Sequence, residues 1–80
     1  MNDSEILSEI KKLVEEEHAL MQKAGEQELK PDEHARMRAL DLSLEQCWDL
    51  LRQRRARREF GQDPGEAEVR DATTVERYRQ

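Results

Sequence analysis

Residues 31–60, PDEHARMRALDLSLEQCWDLLRQRRARREF, contain no glycine and, after Pro31, no further proline. Within them Met37, Leu40, Leu44, Cys47 and Leu51 recur at alternating spacings of three and four. That period places them on one face of an α-helix. Trp48, Leu42 and Leu50 widen the face. Pro31 suits the first helical position, where its missing N–H has no partner to lose. Asp32 and Glu33 in the first turn and the arginines near the end both complement the helix dipole. Gly61 and then Pro64 stop the pattern. The stretch therefore predicts a helix over 31–60, about 45 Å long at about 1.5 Å per residue.

A second helical pattern lies upstream, over about 4–24. Ile6, Ile10, Leu13, Leu20 and Ala24 share a stripe whose one gap is filled by Glu17, and Leu7, Val14 and Met21 form a row beside it. Asn2 or Asp3 serves as N-cap, and Gly25 reads as the C-terminal stop. A short connection between two amphipathic helices implies an antiparallel hairpin. A bend near residues 27–28 then puts Met21 beside His34, Ile10 beside Leu44 and Leu7 beside Trp48. The first helix, about 31 Å long, leaves the second overhanging by about two turns. That overhang, 52–59, is the arginine-rich end.

The remainder, 62–80, is polar and offers only Val69, Val75 and Tyr78 as large residues to bury. Asp63-Pro64-Gly65 reads as a turn. Thr73 and Glu76 have capping-box spacing, which predicts a short helix from about 74. The expectation is an all-α fold: a coiled-coil-like hairpin over 1–61 with a loosely packed, partly ordered tail over 62–80.

Composition limits what such a chain does. Eighty residues with 41% charged, 35% hydrophobic and 4% aromatic side chains make one domain with a thin core. A core this small calls for a staple, a metal, a partner or very regular helix packing. A lone cysteine excludes an internal disulfide. No apolar run is long enough to span a bilayer, and Met1-Asn2-Asp3-Ser4-Glu5 lacks signal-peptide character. With the single cysteine, this points to the cytoplasm. Net charge is −5, but every lysine precedes Pro31 and every arginine follows His34. The arginines therefore sit on a molecule whose overall charge opposes nonspecific binding of nucleic acid.

Four groups of residues are candidate sites. Arg52, Arg54, Arg55, Arg57 and Arg58 put five arginines in seven residues, a pattern that neutralises phosphates or an acidic partner; a solvated, internally paired helix end is the plainer reading. Glu15-Glu16-Glu17-His18 contains a Glu-x-x-His step near His34. Paired steps of that kind bind metals in helical bundles, but Pro31 occupies the position that a second step needs. Glu15, His18 and His34 are thus weak metal candidates beside a polar layer in which Glu17 and His18 meet Arg36, Arg38 or each other. Cys47 on the seam reads as an inert buried thiol. Trp48 reads as an anchor of the hairpin, its indole N–H taken by Asp3 or Asp49. No nucleophilic triad, glycine-rich phosphate loop or calcium loop is present, so no cofactor and no enzymatic activity are expected.

The segments Leu13-Val14-Glu15-Glu16-Glu17-His18, Asp32-Glu33-His34-Ala35-Arg36 and 44–55, around Trp48, resemble a small actinobacterial family of uncharacterised proteins, the domain of unknown function 2630 family. The likeness extends to the Val75-Glu76-Arg77-Tyr78 ending. It implies a cytoplasmic bacterial helical protein and supplies no catalytic residue. Lys30 departs from the serine or threonine cap expected before Pro31.

Two helices that bury one stripe each leave the rest of the stripe for a partner. The favoured expectation is a non-enzymatic interaction module that forms a homodimeric four-helix bundle. Leu42 and Leu50 would lie at the second interface, with Trp48 as anchor. Nucleic-acid or anion binding through the arginines is the alternative, and a bundle metal site the third.

Overall fold

Helix α1, Asp3–Glu26, begins at a complete capping box. Asn2 Oδ1 accepts the Glu5 N–H at 2.8 Å, and Glu5 Oε1 accepts the Asn2 N–H at 2.9 Å, so two otherwise unpartnered donors are satisfied. The helix runs through Gly25 and stops at Glu26, with Gln27 as an extended C-cap. Gly25 is therefore not the stop that its type suggested; a glycine weakens a helix interior without ending it. We describe residues 1–77 in a computed structural model of the chain.

Helix α2, Pro31–Glu59, starts at Pro31 as expected. Lys30 offers no oxygen from its side chain. Glu33 makes up half of that loss, because its Oε1 accepts the Lys30 N–H at 2.9 Å. At the far end Gly61, with φ 72°, takes the left-handed conformation. Gln62 N–H then reaches the Arg57 carbonyl at 2.7 Å and Gly61 N–H the Arg58 carbonyl at 3.2 Å. These two bonds form a Schellman motif, which satisfies carbonyls that the helix end leaves over.

The two helices form the antiparallel hairpin, joined by four ion pairs, of which three report its register and the fourth, Arg58 to Asp3, reaches back from the overhang. Lys23 pairs with Glu33, Glu16 with Arg36, and Arg54 Nε with Asp3 Oδ1 at 2.5 Å. All three fall within about a turn of the register expected from a bend near 27–28. Ile6, Ile10 and Leu50 form the buried centre, with Val14, Leu44, Cys47, Leu51 and Ala67 against them. Leu40 is fully buried as well.

The described part of the tail folds back along α2 of its own chain. Arg54 Nη1 donates to the Pro64 carbonyl at 3.0 Å, Gln53 Nε2 to the Glu68 carbonyl at 2.7 Å, and Gln46 Nε2 to the Arg70 carbonyl at 3.1 Å. Rising numbers in the tail meet falling numbers in α2, so the two run antiparallel. A one-turn 3-10 helix, Pro64–Glu66, is capped by Asp63, whose Oδ1 accepts the Gly65 N–H at 2.8 Å. Helix α3 spans Ala72–Arg77. It starts two residues earlier than the sequence suggested because Asp71, not Thr73, is its cap: Asp71 Oδ1 accepts the Thr74 N–H at 2.8 Å. Val75 on α3 is fully buried, so the described part of the tail packs against the hairpin. Tyr78 lies outside the described residues.

Candidate functional site

The tail gives the hairpin two unlike flanks. On the covered flank the central group is Asp49, only 1% exposed. Arg70 grips it with two bonds, Nε to Oδ2 at 2.8 Å and Nη2 to Oδ1 at 2.5 Å. Gln53 Nε2 adds a third at 2.9 Å. A buried carboxylate is stable only when paired and hydrogen-bonded. Here the Arg70 guanidinium, helped by Gln53, holds the Asp49 carboxyl below its ordinary range despite burial.

The opposite flank is open. Leu7 is 50% exposed, Trp48 44% and Met21 54%. Leu7, Trp48 and Leu51 line a cleft of ≈ 380 Å³ whose rim carries Arg52, Arg55, Arg58 and Asp3. Residues seven apart share one face of a helix, so Leu7, Val14 and Met21 run as a row along it. Trp48 is therefore not a buried anchor. Both acceptors expected for its indole are taken, Asp3 by Arg54 and Arg58 and Asp49 by Arg70 and Gln53.

This arrangement places the three interface candidates differently. Leu50 is buried within the chain against Ile6 and Ile10. Leu42 is half-buried in a shallow hollow with Arg38, Asp41, Glu45 and the α3 residue Glu76. The chain's own tail thus occupies the flank on which Leu42 and Leu50 were expected to meet a partner. Of the three interface candidates only Trp48 remains exposed.

The arginines divide in the same way. Arg54 and Arg58 both hold Asp3, with Arg58 Nη2 to Asp3 Oδ2 at 2.9 Å. Their hydrogen bonds keep the Asp3 carboxyl below its usual range. Arg57 reaches Glu66 at 3.4 Å. Among the described residues, Arg52 and Arg55 have no hydrogen-bonded carboxylate.

Near the hairpin tip the polar layer is rearranged. Glu16, not Glu17, meets Arg36, with Arg36 Nη2 to Glu16 Oε1 at 2.7 Å. Glu17 shares a hydrogen bond with Asp41, which with burial raises the Glu17 carboxyl above its ordinary value. His18, His34 and Glu15 are exposed. Among the described residues no three His, Cys, Asp or Glu side chains are placed to hold one metal ion. Cys47 is half-buried and lines the groove on the tail side with Leu13, Leu50 and Val69. Burial first, and then the Glu9 charge, push its thiol upward, toward the neutral form. Among the described residues no helix is long and apolar enough to cross a membrane.

A capped helical hairpin whose tail is latched across one flank defines a small all-α protein with one open face. The sequence profile of the family described as Protein of unknown function (DUF2630) matches residues 2–80, and the chain belongs to that family. It is 49% identical over 79 residues to the uncharacterised proteins Mb0922c of Mycobacterium bovis and Rv0898c of Mycobacterium tuberculosis. Each match covers 95% of this chain and 88% of the relative. No solved structure matches.

Proposed function

We propose that the protein is a non-enzymatic, cytoplasmic interaction module that pairs with a second copy of itself through the open flank, giving a four-helix bundle. The observation that carries this reading is the half-exposed trio Leu7, Met21 and Trp48 on the flank that the tail leaves uncovered. Covering a large apolar side chain is worth about 1.5–3 kcal/mol, so the trio alone gives such a face a strong tendency to associate. Helix α1 has 24 residues. A strip about 36 Å long and two helix widths across, about 20 Å, offers roughly 700 Å², close to the ~800 Å² per partner of a stable interface.

Charge selects the orientation. An antiparallel twofold pairing sets the Arg52 and Arg55 end of one protomer near the acidic hairpin tip of the other, where Glu26, Glu28 and Asp32 are exposed. Such complementarity steers encounter and fixes register more than it adds affinity. Sedimentation at micromolar concentration tests the proposal. The expected result is a dimer that Trp48→Glu converts to a folded monomer. A wild-type monomer under those conditions sinks the reading.

A further inference from the structure

A second concave site lies where the tail leaves α2. It is a cleft of ≈ 560 Å³ lined in part by Asp49, Arg52, Ala56, Arg57, Phe60 and Arg70. The volume falls within the range of small-ligand sites, about 300–1,000 Å³. Three arginines, Arg52, Arg57 and Arg70, line it, and the lining supplies one carboxylate, Asp49, which Arg70 already holds. The lining therefore carries two positive charges in excess, on a chain whose net charge is −5. The nearest further carboxylate, Glu66, touches Arg57 only at 3.4 Å from a side chain that is largely in water. Exposed pairs of that kind contribute little and yield readily to a stronger anion.

The cleft also has an aromatic wall. Phe60 is 80% exposed, the most exposed large apolar side chain described. Its backbone is set by the helix end, because Phe60 is the C-cap, its N–H bonds the Ala56 carbonyl at 3.1 Å, and Gly61 turns the chain immediately after it. An exposed phenyl ring beside Arg52 and Arg57, of which only Arg57 meets a carboxylate and that at long range, matches a ligand with a flat ring at one end and a dianion at the other.

We infer that this cleft binds a mononucleotide, its phosphate between Arg52 and Arg57 and its base against Phe60. A phosphomonoester carries about −1.5 to −2 charge at neutral pH, which balances the excess charge where a single carboxylate would leave half of it. Arginine forks suit phosphate oxygens, and every base has a face that stacks on an aromatic ring. The cleft shares only Arg52 with the Leu7–Trp48 groove, and the inference does not rest on self-association.

Isothermal titration of the full-length protein with adenosine monophosphate, adenosine and inorganic phosphate tests it. The expected result is saturable binding of the nucleotide, with phosphate and adenosine each weaker by at least about tenfold, since stacking and charge pairing contribute separately. Arg52→Ala and Arg57→Ala should each abolish saturation while circular dichroism stays unchanged. Phe60→Ala should reduce the nucleotide to the affinity of phosphate. Arg55→Ala, in the other groove, should leave binding intact. Absence of saturation at millimolar nucleotide overturns the inference, as does a nucleotide that binds no tighter than phosphate. A short single-stranded oligonucleotide that binds more tightly than the mononucleotide and is weakened by Arg55→Ala also overturns it, because the cations would then act as a general polyanion surface.

Discussion

On one flank of α2, Asp49, Gln46 and Gln53 reach the folded-back tail; on the other, Trp48 and Arg55 stand half in water. Both flanks belong to one helix. What separates them is the source of their covering. The tail has few large side chains to contribute, so it is held mainly by polar bonds from α2 to its backbone and by the Arg70–Asp49 pair, with Ala67 and Val75 filling apolar gaps. The open flank has large apolar groups and no covering segment among the described residues. A small core can thus be closed on one side by polar latches from its own chain while the other side keeps its large apolar groups half in water.

The largest expected effect breaks the open flank. Replacing Leu7 and Trp48 together with glutamate removes two apolar anchors per protomer and buries charge in their place. At about 1.5–3 kcal/mol per side chain, the proposed dimer should weaken by at least about a hundredfold. Sedimentation over a concentration series reads that change, and thermal stability of the monomer should alter little. A dimer of unchanged affinity would place the interface elsewhere.

The covered flank breaks at Arg70. Arg70→Ala leaves the Asp49 carboxylate buried with Gln53 as its remaining hydrogen-bond donor. Loss of one partner of a buried pair costs about 3–5 kcal/mol, and the partial exposure of Arg70 reduces this to about 2 kcal/mol. In a chain of 80 residues that corresponds to a fall in Tm of about 8–16 °C. The tail should also become sensitive to protease while the hairpin remains helical. Equal stability of wild type and variant would show that the latch is not what holds the tail.

The sequence made one of these flanks legible and concealed the other. The helical stripes, the cap at Asn2, Pro31 at the start of α2 and the register that places Leu7 beside Trp48 all follow from periodicity and capping chemistry. The stripe of α2 is too broad, however, to say which edge faces α1. The answer depends on the tail, whose fixing bonds run from glutamine side chains to backbone carbonyls and leave no hydrophobic period to read. Leu50 was therefore expected outside and is core, and Trp48 was expected inside and is open. The Asp49–Arg70 pair is not legible in the sequence, because an ion pair 21 positions apart has no local signature. The excess of arginine in the overhang was legible, but not its division by Asp3 and Glu66 into tied and untied members.

A smaller effect tests how the chain turns from α2 into the tail. Gly61 has a φ of 72°, and a Cβ there would meet no atom within 4 Å. The penalty of Gly61→Ala is thus conformational alone, about 1–2 kcal/mol for a left-handed residue with a side chain. Chemical denaturation should show that loss with an unchanged m-value. A loss much larger than this would mean that the turn also positions the latch.

The smallest effect separates the two regions by the sign of their response to acid. The Asp49 carboxyl lies below its ordinary value of 3.8. Its contribution is therefore present above that value and is lost as pH falls through the lowered one. Glu17 at the hairpin seam runs the other way. The Asp41 hydrogen bond raises its carboxyl above the ordinary 4.5, with burial and the Asp41 charge adding to the effect and His18 opposing it. Its favourable contribution is fully present below 4.5 and disappears as pH rises through the raised value. At neutral pH two carboxylates then face each other across the seam. Glu17→Gln keeps a donor toward Asp41 and removes the repulsion. It should stabilise the protein by about 0.5 kcal/mol at neutral pH, the scale of partly exposed charge pairs, and the gain should vanish in acid. Denaturation of both proteins across the carboxylate range provides the check. A gain that persisted at low pH would come from helix propensity rather than charge, and the two carboxyls would then not be in contact.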